Sequence, residues 1–387
     1  MKLRLQEPVV VAQAPPEVRG WGPWQFPGIQ RLPDGRLAVT YHVEADSAVA
    51  YGKLPGVAVS ADEGRTWQPA DAGGEAGAWT SRILRLPDGD LLRQVRLRSM
   101  DPEPVRHRLP PALGQTRGGY NHPLTVFEAS RFPPDLAGYR FARLRPGAAT
   151  WVEETAAVNL PGALRAVYMG VLTFPWMQRL AVAPDGSLWG IGHGKRLVDG
   201  RIPEQHGAQF LRSVDGGRTW DLLGEIPYQP EAQADPHAGC RDGFTEPNVA
   251  FLPDGSVLCL LRTTDANGVG PLYSSRSADG GRTWTRPEVF DDLGVWPALV
   301  TLGKGVTVAA YGRPGLYTRA TADPTGRDWG ERLAVVEPGP LQNDTCSYAD
   351  LLATGEGEAL IAYSHFSWPD AAGTPRKTIL VRRLAAS

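Results

Sequence analysis

The sequence predicts an all-β protein built from six repeats of four short antiparallel strands, and three observations lead to this prediction. A Pro-Asp-Gly turn between two apolar runs recurs along the chain. An eight-residue pattern, Ser-x-Asp-x-Gly-x-Thr-Trp, follows the turn in several repeats. The turns lie about 50 to 70 residues apart, with one longer interval, and each interval holds about four short strands. A four-stranded unit that repeats and cannot bury its faces alone is typical of a six-bladed β-propeller.

The Pro-Asp-Gly turn is a β-hairpin signal with a physical basis. Glycine adopts the positive φ that such a turn needs, and aspartate tolerates it. Full copies of the turn end at Gly35, Gly89, Gly186 and Gly255, and weaker copies end at Gly305 and Gly357. These six turns predict one hairpin for each of six blades.

The eight-residue pattern is expected to staple a second turn in each blade. Its full copies are 60–67, 213–220 and 277–284, with degenerate copies at 145–151 and 323–329. The aspartate can accept N–H groups of its own turn, the glycine supplies a left-handed residue, and the tryptophan packs between blades. We therefore predict structural roles for Asp62, Asp215 and Asp279, not metal binding or acid catalysis.

The sixth repeat lacks this pattern, and the end of the chain explains its incompleteness. The apolar run 378–383 is expected to pair with the N-terminal strand, which closes the propeller and removes an exposed edge. Residues 1–387 are thus predicted to form a single propeller domain. An Arg- and Pro-rich insertion at about 100–120 lengthens the second blade.

Composition narrows the classes of partner. The net charge is -2 and no basic block occurs, so neither nucleic acid nor an anionic membrane is expected to bind. Three cysteines (Cys240, Cys259, Cys346) argue against a disulfide framework and, with no readable signal peptide, for a cytoplasmic protein. The spacing of His237, Cys240 and Cys346 fits no standard zinc site, so no metal or cofactor is expected. The oligomeric state is left open.

Counting outward from each turn predicts which residues share one end of the hairpins. The count starts at the residue before each turn glycine. Eight positions before it stand Phe26, Thr80, Met177, Glu246, Trp296 and Tyr348, and eight positions after it stand His42, Arg96, His193, Arg262, Gly312 and Ser364. Close to these positions are Gln25, Asp46, Arg313 and His365. Paired strands of similar length bring such residues to one mouth of a central funnel.

The Ser-x-Asp-x-Gly-x-Thr-Trp elements resemble the Asp boxes of the sialidase superfamily, and the resemblance covers most of the chain. It implies a sialidase-like propeller that processes a carbohydrate. Sialidases have a Glu ahead of a hairpin that ends in Arg, to which Glu246 and Arg262 correspond. The resemblance also implies Tyr348 as the nucleophile that opens the last blade, Arg313 as a substrate-binding arginine and Asp46 as the acid/base.

One departure from the family pattern concerns the arginine triad. The family's Phe-Arg-Ile-Pro motif aligns with 24–27, so Gln25 stands in the place of an arginine. A tyrosine nucleophile, deprotonated by Glu246, avoids the repulsion between a carboxylate nucleophile and an anionic sugar. The first hypothesis is therefore a retaining exo-glycosidase for a terminal acidic sugar of a glycoconjugate. Substrate contacts are expected from Gln25, His42, His193, Arg262, Trp296, Arg313 and His365.

Two alternatives remain at this point. The first is a glycosidase or polysaccharide lyase that acts on another sugar, such as a uronate, with His42 or His193 transferring the proton. The second is a non-catalytic propeller that binds glycans or a protein, which the replacement at Gln25 favours.

Overall fold

The computed structural model describes residues 1–47, 53–72, 82–95, 100–119, 122–133, 135–136, 139–168, 170–173, 177–263, 269–339 and 344–386. Thr80, Arg96 and Tyr120, at the end of the predicted insertion, lie outside these ranges. The chain divides into two compact units. Unit 1 comprises Met1–Thr80, Asn248–Leu258 and Leu293–Ser387, and unit 2 comprises Ser81–Pro247 and Cys259–Asp292.

Strands account for nearly all of the regular structure. In chain order they are β1 (Leu3–Leu5), β2 (Val9–Gln13), β3 (Gln25–Arg31), β4 (Leu37–His42), β5 (Gly56–Ser60), β6 (Gln68–Ala70), β7 (Ile83–Arg85), β8 (Leu91–Gln94), β9 (Gly114–Arg117), β10 (Pro123–Glu128), β11 (Tyr139–Leu144), β12 (Val152–Asn159), β13 (Leu164–Tyr168), β14 (Val171–Leu172), β15 (Arg179–Val182), β16 (Leu188–Gly194), β17 (Gly207–Ser213), β18 (Thr219–Ile226), β19 (Thr245–Phe251), β20 (Val257–Arg262), β21 (Leu272–Ser277), β22 (Glu288–Asp291), β23 (Ala298–Thr301), β24 (Thr307–Gly312), β25 (Leu316–Thr321), β26 (Leu333–Val336), β27 (Ala349–Ala353), β28 (Glu358–Pro369) and β29 (Pro375–Ala386). Short 3-10 turns occur at Glu103–Arg108, Ala129–Arg131, Ala238–Cys240 and Gly303–Gly305. In the described ranges, no helix has the length and hydropathy needed to cross a membrane.

The strands form antiparallel blades as predicted, with four strands in each except the last, which has five, and a parallel pairing of β12 with β18 joins two of the blades into one eight-stranded sheet. Blade 1 is β3 to β6, blade 2 is β7, β8, β11 and β12, blade 3 is β15 to β18, blade 4 is β19 to β22, blade 5 is β23 to β26, and blade 6 is β27 to β29 with β1 and β2. The division between the units passes through β19 and β20. The fold class is thus the all-β, sialidase-like β-propeller that the repeats predicted.

The second strands of several blades are largely buried, which is typical of strands that are covered on both faces. Every residue of β20 and of β24 is buried. In unit 1, apolar side chains of blades 5 and 6 form one core cluster around Val308, Leu351 and Ile361. In unit 2, blades 2 and 3 share a cluster around Leu92, Phe141 and Trp220.

The Pro-Asp-Gly turns take the predicted form. At the fourth turn, Gly255 has a φ of 85° and donates its N–H to Leu252 O at 3.0 Å. Asp254 accepts the N–H of Ser256 at 2.9 Å, which closes the turn from the other side. Aspartate serves here as a local hydrogen-bond acceptor, and the positive φ of the turn is taken by Gly255 and not by Asp254.

The eight-residue elements are also stapled turns. Asp62 accepts the N–H and the hydroxyl of Thr66 at 2.9 and 2.7 Å. Trp67 donates its indole N–H to Gly64 O at 3.2 Å. The degenerate copy near Trp329 keeps the tryptophan bond, to Gly326 O at 2.8 Å. These contacts occupy the carboxylates, as predicted.

The last strand closes blade 6 in the predicted way. β29 pairs antiparallel with β2, from Val9 opposite Val381 to Gln13 opposite Thr378. It also pairs with β1, where Leu3 lies opposite Ala386. The N-terminal segment therefore covers an edge that would otherwise be exposed.

The addition to the second blade extends beyond the predicted segment at 100–120. β9, which lies in that segment, belongs to a separate four-stranded sheet in the order β14-β13-β10-β9. Along the chain, two strands of this sheet (β9 and β10) precede β11, and the other two (β13 and β14) follow β12. The buried Lys195 ammonium joins the sheet to blade 3 by donating to Thr116 Oγ1 at 3.0 Å and Arg117 O at 2.7 Å.

Candidate functional site

Several blades begin with a strained residue at the position that the turn register predicts. Phe26, Glu246 and Trp296 have φ values of 54°, 46° and 46°, and each is followed by proline. Bulky residues rarely adopt positive φ, and backbone strain of this kind concentrates at functional sites. The strain therefore supports the choice of these positions as candidates.

Glu246 and Arg262 form an ion pair in unit 2, as the hairpin predicted. Arg262 Nη1 donates to Glu246 Oε1 at 2.7 Å. The side chains are only 6% exposed for Arg262 and 12% exposed for Glu246. A guanidinium at this distance stabilises the charged form of the Glu246 carboxylate.

Two histidines lie beside this pair, and we call Glu246, Arg262, His193 and His206 the glutamate cluster. The two imidazole rings meet edge to face, with centroids 5.4 Å apart. Burial lowers the pKa of His193 to about 4 and that of His206 to about 3. Both rings are therefore neutral at pH 7. His193 was predicted, but His206 was not, because only the pairing of β16 with β17 brings it near.

His206 anchors the segment that leads into Glu246. Its backbone N–H donates to Asp242 O at 3.0 Å, and its carbonyl accepts the N–H of Phe244 at 2.9 Å. Gly243 between them has a φ of 111°, and a Cβ there would lie 2.3 Å from His206 N. Blade 3 thus sets where the chain enters β19.

A second group of candidates lies in unit 1, and we call Tyr348, Phe26, Trp296, Arg313 and Trp21 the tyrosine cluster. Trp296 stacks on the Tyr348 ring at 5.0 Å, and Phe26 meets it edge to face at 4.8 Å. The Arg313 guanidinium lies 5.8 Å from the Tyr348 ring centroid and 5.5 Å from that of Trp21. Arg313 is fixed by a bond from Nη2 to Cys346 O at 2.8 Å.

Asp46 joins the tyrosine cluster through Trp21. The indole N–H of Trp21 donates to Asp46 Oδ2 at 3.0 Å. A Cβ on the neighbouring Gly22 would lie 2.1 Å from Asp46 N, so only glycine lets the two loops pack together. Trp21 is 43% exposed. Sequence reasoning missed Trp21, since its contact with Asp46 spans 25 positions.

The other predicted residues take different places in unit 1. Gln25 is fully buried and lies opposite His42, because a register shift between Gln25 and Gly28 displaces Phe26 from the predicted pairing. His42 packs against the Phe26 ring at 4.9 Å. His365 Nδ1 accepts the N–H of Ser367 at 3.1 Å, and burial lowers its pKa.

The two clusters offer different chemistry. The tyrosine cluster combines aromatic faces, a guanidinium, a phenol and an exposed carboxylate, which are the groups that bind sugars and their anionic substituents. The glutamate cluster supplies a buried carboxylate held by a cation and neutral imidazoles. Across the described residues, no group of three or more His, Cys, Asp or Glu side chains is arranged to hold a metal ion.

Comparisons with known proteins place the chain in a family. Three solved structures resemble its fold. A protein of unknown function from Dyadobacter fermentans has a TM-score of 0.67 at 18% identity, over 100% of this chain and 99% of its own. A Hadza microbial sialidase has a TM-score of 0.54 at 16% identity, over 93% of this chain and 65% of its own, so this chain spans about two thirds of that protein. The GH93 α-L-arabinofuranosidase of Fusarium graminearum has a TM-score of 0.55 at 16% identity, over 97% of this chain and 97% of its own.

At these identities the likeness establishes the fold alone. No curated protein gives a significant sequence match. The sequence profile of the BNR repeat-like domain matches residues 147–361, which is more than half of the 387 residues. The chain therefore belongs to the BNR repeat-like domain family.

Proposed function

We propose that the protein is a retaining exo-glycosidase that removes a terminal acidic sugar from a glycoconjugate. The observation that carries this proposal is the tyrosine cluster, in which a phenol lies beside the fixed guanidinium of Arg313 and between two aromatic rings. An arginine there attracts an anionic substituent, and the aromatic faces suit the apolar face of a sugar ring.

Tyr348 is the proposed nucleophile. A carboxylate attacking a sugar that bears its own carboxylate would meet like-charge repulsion, whereas a neutral phenol does not. In the first step the phenol oxygen bonds to the anomeric carbon, and Glu246 takes the phenolic proton. This assignment rests on the family resemblance and on the place of Glu246 in an ion pair with Arg262, as in the family pattern.

Asp46 is the proposed acid/base. It protonates the leaving oxygen as the glycosidic bond breaks, and later takes a proton from the water that attacks the glycosyl-tyrosine. The bond to Tyr348 then breaks, and Glu246 returns the proton to the phenolate. Two displacements at one carbon retain its configuration.

Recognition of the substrate carboxylate is assigned to Arg313 and Arg262. Each has one guanidinium nitrogen committed, Arg313 to Cys346 O and Arg262 to Glu246, and the buried Gln25 stands where the family has a further arginine. A clamp of two arginines in place of three suits acidic sugars of more than one kind. Uronides therefore belong in the test beside sialosides.

The experiment is a panel of fluorogenic sialosides, uronides and α-L-arabinofuranosides, with anomeric configuration followed by proton NMR. Tyr348→Phe should lower kcat by on the order of 10⁴-fold or more. Glu246→Gln should lower it by roughly 10²- to 10⁴-fold. Tyr317→Phe, a matched loss of a phenol on β25, should leave turnover unchanged.

Three results would reject parts of the proposal. Full turnover by Tyr348→Phe excludes the tyrosine nucleophile, and an inverted product excludes the double displacement. Turnover of arabinofuranosides but of no acidic sugar excludes the substrate class. Sugar binding with no turnover of any substrate would establish the non-catalytic alternative.

A further inference from the structure

One nitrogen of His193 has two close partners that make opposite demands on it. Its Nδ1 lies 2.9 Å from Gln178 Oε1, a contact that needs a proton on Nδ1. It also lies 3.2 Å from the backbone N of Glu246, which donates and therefore needs Nδ1 without a proton. A single ring nitrogen satisfies only one of these demands.

The backbone contact decides the tautomer. The Glu246 N–H is fixed in place by the chain and points at Nδ1 at 3.2 Å, so a proton on Nδ1 would set one donor against another. The Gln178 amide can turn by half a rotation and present its NH₂ group, because its oxygen and nitrogen are interchangeable in shape. Turning the amide removes the conflict, because both groups then donate towards the one lone pair of Nδ1, whereas no rotation can reverse a backbone N–H.

Glu246 needs such a hold because its backbone is strained. Its φ of 46° is rare for a residue with a long side chain, and Pro247 restricts it further. The hydrogen bond to His193 fixes the N–H on one side of the strained residue. His206 holds the preceding turn through Asp242 and Phe244. The carboxylate thus depends on blade 3 for its direction.

We propose that His193 is a positioning residue that holds Glu246 by accepting its backbone N–H at a bare Nδ1, with the Gln178 amide donating to the same nitrogen. The proposal rests on the proposed role of Glu246 as the proton acceptor. Protonation of Nδ1 would convert the acceptor into a donor, release the Glu246 N–H and disable the reaction.

The surroundings keep His193 neutral over most of the pH range. Burial lowers its pKa most, and the Arg262 guanidinium lowers it further, whereas the Glu246 carboxylate raises it, and the result is about 4. His206 faces it as a second neutral ring. Burial lowers the pKa of His206 most, His193 and Lys195 lower it further, the hydrogen bond to the backbone carbonyl of Asp242 raises it, and the result is about 3. The hydrogen bond from the Glu246 N–H to His193 Nδ1 is therefore lost only at acid pH.

Two substitutions at one position separate positioning from packing. In His193→Asn, the amide oxygen occupies the place of Nδ1 and accepts without titrating. In His193→Leu the volume is retained and the acceptor is lost. We expect kcat of the leucine variant to fall by about 100-fold, as for a misplaced catalytic group, with KM nearly unchanged. The kcat of the asparagine variant should stay within about tenfold of the wild-type value.

The pH profile gives a readout that packing alone would not change. The acid limb of log(kcat/KM) should lose one unit of slope in His193→Asn, because one protonation no longer stops the reaction. His107→Asn, at an exposed site in the 3-10 turn of unit 2, is the matched control and should keep the wild-type profile. Equal activity of the leucine and asparagine variants, or an unchanged limb in His193→Asn, would overturn the proposal.

A test without turnover separates this inference from the proposed function. Nitrogen-15 NMR of the histidines in the full chain, assigned by loss of signal in His193→Asn, reports the tautomer directly. A neutral ring with its proton on Nε2 at pH 7 is expected. A proton on Nδ1, or a charged ring, refutes the inference even if no substrate is found.

Discussion

The ion pair between Glu246 and Arg262 makes a quantitative prediction about stability. Arg262→Met removes the partner of a carboxylate that is 12% exposed and 2.7 Å away. Two charges 4 Å apart interact by about 4 kcal/mol at an effective dielectric constant of 20. Loss of one member of a buried pair costs about 3–5 kcal/mol, because the other charge stays buried. We therefore expect Arg262→Met to lower the free energy of unfolding by that amount.

A double-mutant cycle isolates the interaction. Glu246→Gln alone should also destabilise the protein, since it removes the carboxylate charge that lies 2.7 Å from the 6% exposed Arg262. The double variant buries no unpaired charge, so its loss should be smaller than the sum of the single losses by about 2–3 kcal/mol. Urea unfolding followed by tryptophan fluorescence measures each term.

The control variant is Lys304→Met, which removes an exposed pair with Glu356 in unit 1. Exposed pairs contribute about 0–1 kcal/mol, so this variant should unfold nearly as the wild type does. If Arg262→Met lowers the free energy of unfolding by less than about 1 kcal/mol, or if the losses in the cycle are additive, water screens the Glu246–Arg262 pair. The pair would then contribute no more than an exposed one.

Two further predictions concern a stapled turn and a close approach of two loops. Hydrogen bonds from Thr66 and Ser60 lower the pKa of Asp62 to about 2, from 3.8. The carboxylate therefore stabilises the fold above about pH 4 and loses this effect as the pH falls towards 2, so Asp62→Asn should destabilise at pH 7 and differ least from wild type at pH 2 in thermal unfolding. Gly22→Ala places a Cβ 2.1 Å from Asp46 N and should lower kcat on the preferred glycoside by on the order of 10²-fold. Gly35→Ala, also at a positive φ but with nothing within 4 Å of the added Cβ, is its control, and equal activity of the two variants would dissociate Asp46 from the chemistry.

Local patterns predicted the repeated turns because their causes lie within a few residues. Asp254 and Gly255 form their turn with atoms no more than four positions away. The pairing of Glu246 with Arg262 followed in the same way, since a hairpin of known turn fixes which residues meet at its open end. Sequence could therefore indicate the hairpin end and the residue types that line it.

Contacts between distant segments could not be predicted in this way. Trp21 reaches Asp46 only because two loops pack through Gly22, and His206 reaches the glutamate cluster through the pairing of two strands. The register shift near Phe26 depends on a bulge, which adds a residue to one strand without a fixed sequence signal. The extra sheet was underestimated because β11 and β12 separate its two halves along the chain.

Ser347, which precedes Tyr348, shows how stability and the proposed site conflict. Its φ is 63°, the residue is 1% exposed, and its hydroxyl has no hydrogen-bond partner among the described residues. A left-handed residue other than glycine costs about 1–2 kcal/mol, and an unsatisfied buried hydroxyl costs about 1–3 kcal/mol. Glycine would remove both costs and add only about 0.5–1 kcal/mol of backbone entropy.

Ser347→Gly should therefore raise the free energy of unfolding by about 1 kcal/mol or more, measured in urea. Ser347→Ala removes the hydroxyl but keeps the left-handed strain, so it should gain less than the glycine variant. If the strain serves to aim Tyr348, the glycine variant should also lose kcat on the preferred glycoside, because the freed backbone no longer holds the phenol in one direction. A glycine variant that is less stable than the alanine variant would show that the backbone at Ser347 is unstrained, and the link from strain to function at this position would then be lost.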